Sequence, residues 1–176
     1  MIELERTYLA KYIPSELKDC KFKEIIDIYI PKDIKPPKHA PIRLRKKGDH
    51  YEITKKEIVD EGDFSKLKEQ TILLTESEFN ELSKLEGKKI HKIRYYYPYK
   101  NRVAEIDIFQ GPLKGLVVVE VEFDDEKEKD LFGMPEFCLM DVTHEDFIAG
   151  GKICGKSYED IEEDLKGHGY SKLFVE

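Results

Sequence analysis

Period-two alternation of apolar and charged residues predicts an α+β chain that is strand-dominated and largely antiparallel. Two further observations shape that expectation. The charged face of each strand carries mostly one sign, and helix signals are few and short. The 176 residues suit one domain spanning 1–176, and 40% hydrophobic content is enough for a core.

Taken in order, Ile2, Leu4, Arg6 and Tyr8 share one face of the first strand, opposite Glu3, Glu5 and Thr7. Pro14 to Phe22 reads as a short helix. Ile26, Ile28 and Ile30 then oppose Asp27 and Tyr29. Pro31 to Pro41, with Pro36 and Pro37, reads as a stiff extended loop. Ile42 and Leu44 oppose Arg43 and Arg45, and Lys46-Lys47-Gly48-Asp49 turns the chain into a strand through Lys56. Gln70 to Leu74 is a further strand. Thr75 and Glu78 form a capping box for a helix over Glu76 to Leu85, stopped at Gly87. Strands follow over Ile90–Tyr97, Val103–Phe109 and Leu116–Phe123. Helical segments are predicted over Asp125–Phe132, His144–Ile148 and Tyr158–Lys166.

Composition excludes several classes. A net charge of −7 leaves no basic footprint for duplex nucleic acid. No apolar run approaches the ~20 residues of a membrane-spanning helix, so no membrane partner is expected. Cys20, Cys138 and Cys154 are odd in number and widely spaced, and Met1 to Glu5 lacks a signal-peptide pattern; both point to a reduced, cytoplasmic protein. No histidine spacing suits zinc.

The chemistry lies in the charged faces. Glu3 with Glu5, Glu105 with Asp107, and Glu120 with Glu122 are carboxylates two apart on strands, so each pair points one way. Arg43 with Arg45, Lys56, and Lys92 with Arg94 are their basic counterparts, and only five of the 30 basic residues are arginine. On an open sheet these faces would meet water. In a closed barrel they would face inward, where charges need partners. A divalent cation on the carboxylates and a polyphosphate on the cations would satisfy both rows.

The ordered set Glu3-Leu4-Glu5, Arg43-Leu44-Arg45, Thr54-Lys55-Lys56, Lys92-Ile93-Arg94, Glu105 to Gly111, Val119 to Phe123 and Asp141-Val142-Thr143 resembles the CYTH domain of triphosphate tunnel metalloenzymes over roughly residues 1–155. The resemblance implies a closed antiparallel β-barrel, an eight-stranded tunnel with a charged interior and helices packed outside. It implies metal-dependent hydrolysis of a triphosphate-containing small molecule with Mg²⁺ or Mn²⁺. Glu3, Glu5, Asp107, Glu120 and Glu122 match its metal-side carboxylates; Arg43, Arg45, Lys56 and Arg94 match its phosphate-gripping positions, joined by Lys92. Tyr29 falls where related proteins carry a tyrosine that assists a lysine, here Lys56, in activating water. Two departures remove positive charge. The opening ExExK ends in Thr7, and the stretch after Asp141-Val142-Thr143 offers only Lys152 as a cation. A class IV-type adenylate cyclase and a non-catalytic module for triphosphates or RNA 5′-triphosphate ends are the alternatives, and a homodimer stays open.

Overall fold

The computed structural model describes residues 2–33, 42–60 and 63–175. Nine strands run in chain order: β1 Ile2–Ala10, β2 Phe22–Ile30, β3 Ile42–Lys47, β4 His50–Ile58, β5 Lys66–Leu74, β6 Lys88–Tyr99, β7 Arg102–Phe109, β8 Val117–Phe123 and β9 Cys138–Asp141. Their order across the sheet is β5-β4-β3-β2-β6-β7-β8-β1-β9, and β5 also pairs with β1. That last pairing closes β1 to β8 into an eight-stranded antiparallel barrel. β9 continues along the β1 edge beyond β5, from Tyr8↔Asp141 to Ala10↔Cys138.

The alternation read from sequence sets which side of each strand faces in. Glu5↔Glu122, Glu105↔Glu120, Arg94↔Asp107 and Arg45↔Asp27 are register partners, so the charged faces share the lumen. The apolar faces turn outward. Leu4, Tyr8, Ala104, Ile106, Val117, Val119 and Val121 are covered by Leu17, Phe137 and Cys138. Helix α1 (Glu76–Leu82) lays Phe79 against Ile28 and Leu44 on the opposite wall, and its capping box is formed as the sequence predicts. Helix α2 is Glu126–Leu131.

The remaining helices lie at one mouth of the barrel. Helices α3 (Gly150–Ile153) and α4 (Glu162–Gly167), with the turns around them, set Ile148, Ile153, Tyr158, Ile161, Leu165 and Tyr170 against Leu9, Tyr29, Ile90, Phe109, Leu116 and Val118. This C-terminal segment plugs that end with apolar packing. Gly150 sets the depth of the plug: a Cβ there would lie 2.3 Å from the Tyr29 hydroxyl oxygen.

Some boundaries differ from the sequence reading. Pro14–Phe22 holds only a short 3₁₀ turn over Ser15–Asp19, because Phe22 already belongs to β2 and pairs with Tyr95. His144–Ile148 shrinks to a 3₁₀ turn over Asp146–Ile148, and Tyr158–Lys166 becomes a turn followed by α4. Strand β9 and helix α3 were not foreseen; each is four residues long, too short for periodicity to register. Most of the proline-rich Pro31–Pro41 loop, from residue 34 on, lies outside the described residues.

Gly150→Ala is predicted to lower the stability by about 1–3 kcal/mol, because Tyr29 is buried and cannot yield to the added methyl. A thermal melt against the wild type checks this.

Candidate active site

The barrel encloses a cavity of about 1150 Å³, and the charged rows line it. The strand register places opposite charges on neighbouring rungs, and the side chains neutralise one another across short gaps.

Arg45 and Asp27 form a buried fork: Nε donates to Oδ1 at 2.7 Å and Nη2 to Oδ2 at 2.8 Å. Burial alone would push the Asp27 carboxyl up, but the Arg45 charge and hydrogen bonds hold it well below the usual range. Arg94 is the hub of a larger group. Its Nε and Nη2 donate to Asp107 at 2.6 Å each, and it also binds Glu105 and Glu120. Lys92 binds the same Asp107. Burial would raise Glu120, but Arg94, Lys92 and Lys56 outweigh it and keep this carboxylate ionised. Lys92, fully enclosed, is pushed down by that burial despite Asp107.

Lys56 stands on the acidic wall. It binds Glu3 and lies 3.5 Å from both Glu5 and Glu69. Burial disfavours its charge, but Glu5 and Glu3 overcome that and hold the ammonium well above the lysine range. The acids around it remain under-compensated. Burial, with Glu120 and Glu3 close by, raises Glu5 to about 7 even against Lys56. Glu122 is raised by burial and by Glu105, Glu3 and Glu120. A wall of carboxylates crowded enough to raise the proton affinity of Glu5 and Glu122 is a donor set suited to a hard divalent cation, which uses one or two carboxylates together with phosphate oxygens. Among the described residues no three acidic, histidine or cysteine side chains already converge as a closed metal cage.

The predicted residues therefore meet in one lumen, with three exceptions of detail. Asp107 lies beneath Lys92 and Arg94 and is 1% exposed, so it meets those cations and not the cavity surface. Tyr29 packs at the plugged end against Gly150, while Lys56 is held by acids; among the described residues no contact joins them. Burial raises the Tyr29 phenol to about 12, so it is a neutral donor and not a base. Lys152, on α3, reaches the mouth and pairs with Asp146 at 3.0 Å while half-exposed. Thr7 faces the lumen beside Glu120, and its N–H donates to the Thr143 hydroxyl at 3.0 Å. Arg6 turns outward to Asp141 and to the Phe132 carbonyl, so it does not replace the missing lysine.

Sequence reasoning passed over Asp27 and Glu69. Asp27 shares a strand face with Tyr29, and that was its signal; Glu69 sits opposite Lys56 in the register, which only the fold reveals.

No family model matches the chain. An inorganic triphosphatase of Nitrosomonas europaea is 30% identical over 148 residues, 82% of this chain and 91% of that protein. An inorganic triphosphatase of Acetivibrio thermocellus is 28% identical over 74 residues, 42% of this chain and 46% of that protein. The crystal structure of the inorganic triphosphatase NE1496 superposes with a TM-score of 0.62 at 25% identity, covering 88% of this chain and 95% of that one. A putative adenylate cyclase from Bacillus halodurans shares the fold, with a TM-score of 0.53 at 17% identity, covering 99% of this chain and 93% of that one.

Two predictions follow from the charge pairing. Asp27→Ala leaves Arg45 buried and unpaired, and is expected to cost about 3–5 kcal/mol in urea unfolding. The unfolded chain releases the Glu5 proton in the ordinary carboxylate range, whereas the folded tunnel holds it to about pH 7. Glu5 therefore costs stability as pH rises through that window. Glu5→Gln should raise the melting temperature at pH 8 in chelator by several degrees, and change it little at pH 4.

Proposed function

The chain belongs to the CYTH family of triphosphate tunnel metalloenzymes, and on that footing we propose that it hydrolyses inorganic tripolyphosphate with Mg²⁺ or Mn²⁺. The observation that carries this reading is a closed lumen where buried arginines and a buried lysine face a wall of carboxylates crowded enough to raise Glu5 and Glu122. The substrate choice is supported by the activity for which both sequence relatives are named.

In this reading Arg43, Arg45, Lys92 and Arg94 grip the phosphate oxygens. Guanidinium forks bind such oxygens bidentately and remain charged at any working pH. Asp27 and Asp107 act behind them as positioning residues, holding Arg45, Arg94 and Lys92 at fixed angles. Lys56 contributes an ammonium at the boundary between the acidic wall and the phosphates. The Tyr29 hydroxyl donates a hydrogen bond, and Lys152 adds positive charge from the plug. Glu3, Glu5, Glu120 and Glu122 would hold the divalent cation, which supplies charge neutralisation of the phosphoryl oxygens and orientation of the attacking water. Phosphoryl transfer needs little covalent help, so fixed charges aimed at the equatorial oxygens account for most of the catalysis.

The test is orthophosphate release from tripolyphosphate with each divalent ion, run beside cyclic nucleotide detection from ATP. Release of orthophosphate from tripolyphosphate is expected. Cyclic AMP from ATP would move the chain to the cyclase reading, and binding without product would move it to a non-catalytic one. Glu122→Gln is expected to reduce turnover ten- to a hundredfold, the effect of one lost charged contact, without lowering the melting temperature.

A further inference from the structure

The cations of the lumen divide into two groups. Arg45, Lys56, Lys92, Arg94 and Lys152 are each bound to carboxylates. Among the described residues, Arg43, Lys47, Lys88 and Lys156 have no carboxylate within ion-pairing distance, although all four line the same cavity; Lys47, at the far end of β3, lies over the Tyr96 ring and stands apart from the other three. Asp27 and Glu69 feel Arg43 at longer range, but Arg45 holds the first and Lys56 and Thr71 hold the second. Asp160 feels Lys156 in the same way and is held by Ser157.

These three cations are gathered by the fold. Arg43, Tyr29 and Lys88 are register partners on β3, β2 and β6, so they form one rung of the barrel wall. Neighbouring strands are about 4.8 Å apart, which brings the three side chains side by side. Lys156 arrives from the plug, directly after Gly155. That glycine has a φ of +74°, and a Cβ on it would lie 2.9 Å from Cδ of Lys88. Glycine is required there on both counts, and its absence of a side chain presses the plug against the Lys88 stem. Arg43 Nε is buried and, among the described residues, has no acceptor. A buried donor left without a partner is costly, and an anion would relieve it.

We infer that Arg43, Lys88 and Lys156, with the Tyr29 hydroxyl, form a subsite at the plugged end that holds the terminal phosphoryl group of the substrate chain. This rests on the triphosphatase reading and adds to it two binding residues, Lys88 and Lys156. A terminal phosphoryl carries up to two negative charges and three free oxygens, matching three cations that have no carboxylate of their own. It also accounts for Thr7. The positive charge absent from β1 is supplied from β6 and the plug.

The experiment uses the Lys88→Gln/Lys156→Gln double variant, with tripolyphosphate as substrate and orthophosphate in chelator as the binding probe. The subsite contact persists from ground state to transition state, so KM should rise at least about tenfold while kcat stays within about threefold. Orthophosphate should raise the melting temperature of the wild type by mass action, and the double variant should lose that shift. Lys88→Arg and Lys156→Arg should keep both properties. An unchanged KM with an unchanged phosphate shift overturns the subsite, as does a fall in kcat at constant KM. A double variant that melts lower than the wild type without phosphate would show the lysines to be structural, and would also overturn it. If the wild type fails to turn over tripolyphosphate, the triphosphatase reading falls, and the phosphate shift still decides the subsite by itself.

Discussion

The fold depends on mutual neutralisation of charge inside a closed wall. Few barrels of this size could enclose Asp27, Arg45, Lys92, Arg94 and Asp107, all under 10% exposed, unless each had a partner of opposite sign. The register supplies those partners because strand rows of one sign were set beside rows of the other. A ligand that combines cation and polyphosphate would exchange partners: its phosphates would take the guanidinium and ammonium groups, and the released carboxylates would hold the divalent ion. A phosphate or a metal alone would leave one wall uncompensated.

The plug gives that exchange an orientation. One mouth is sealed by Ile148, Ile153 and their partners, and its glycines bring the chain against Tyr29 and Lys88. The acidic wall and the Arg43–Lys88–Lys156 group therefore stand in a fixed relation to a closed floor. An Arg6–Asp141 ion pair on the outer face bolts this segment down, since Asp141 also accepts from the Thr143 backbone N–H at 2.9 Å, and Thr143 binds Thr7. Two of the five arginines, Arg6 and Arg102, thus serve the exterior, and Arg43, Arg45 and Arg94 serve the lumen.

Much of this was legible in the sequence because a strand fixes direction by parity. Once Glu3 and Glu5 were assigned to one face, the inward placement of Glu120, Glu122, Arg43 and Arg45 required only closure of the sheet. What parity does not carry is distance along the barrel. Asp107 has the right face, yet it lies one rung from the acidic wall, under Arg94; the same limit hid the separation of Tyr29 from Lys56. The plug was only partly legible, for another reason. Its helices are four and six residues long and are held by tertiary packing; the predicted helix over Tyr158–Lys166 marked α4, but neither periodicity nor length announced α3 or the apolar seal the two form.

The closure of the barrel rests on a narrow seam. β1 pairs with β8 from Leu4 to Leu9, but among the described residues β5 meets it only from Ile2 to Leu4 before β9 takes over at Tyr8. Between those two handholds, Glu5 N–H reaches the Ser65 carbonyl at 3.0 Å, and the Thr7 backbone is held by Thr143 and Val142. The stave that carries Glu3 and Glu5 is therefore the least firmly hooped in the cask, and any breathing of the wall concentrates where those acidic side chains are rooted.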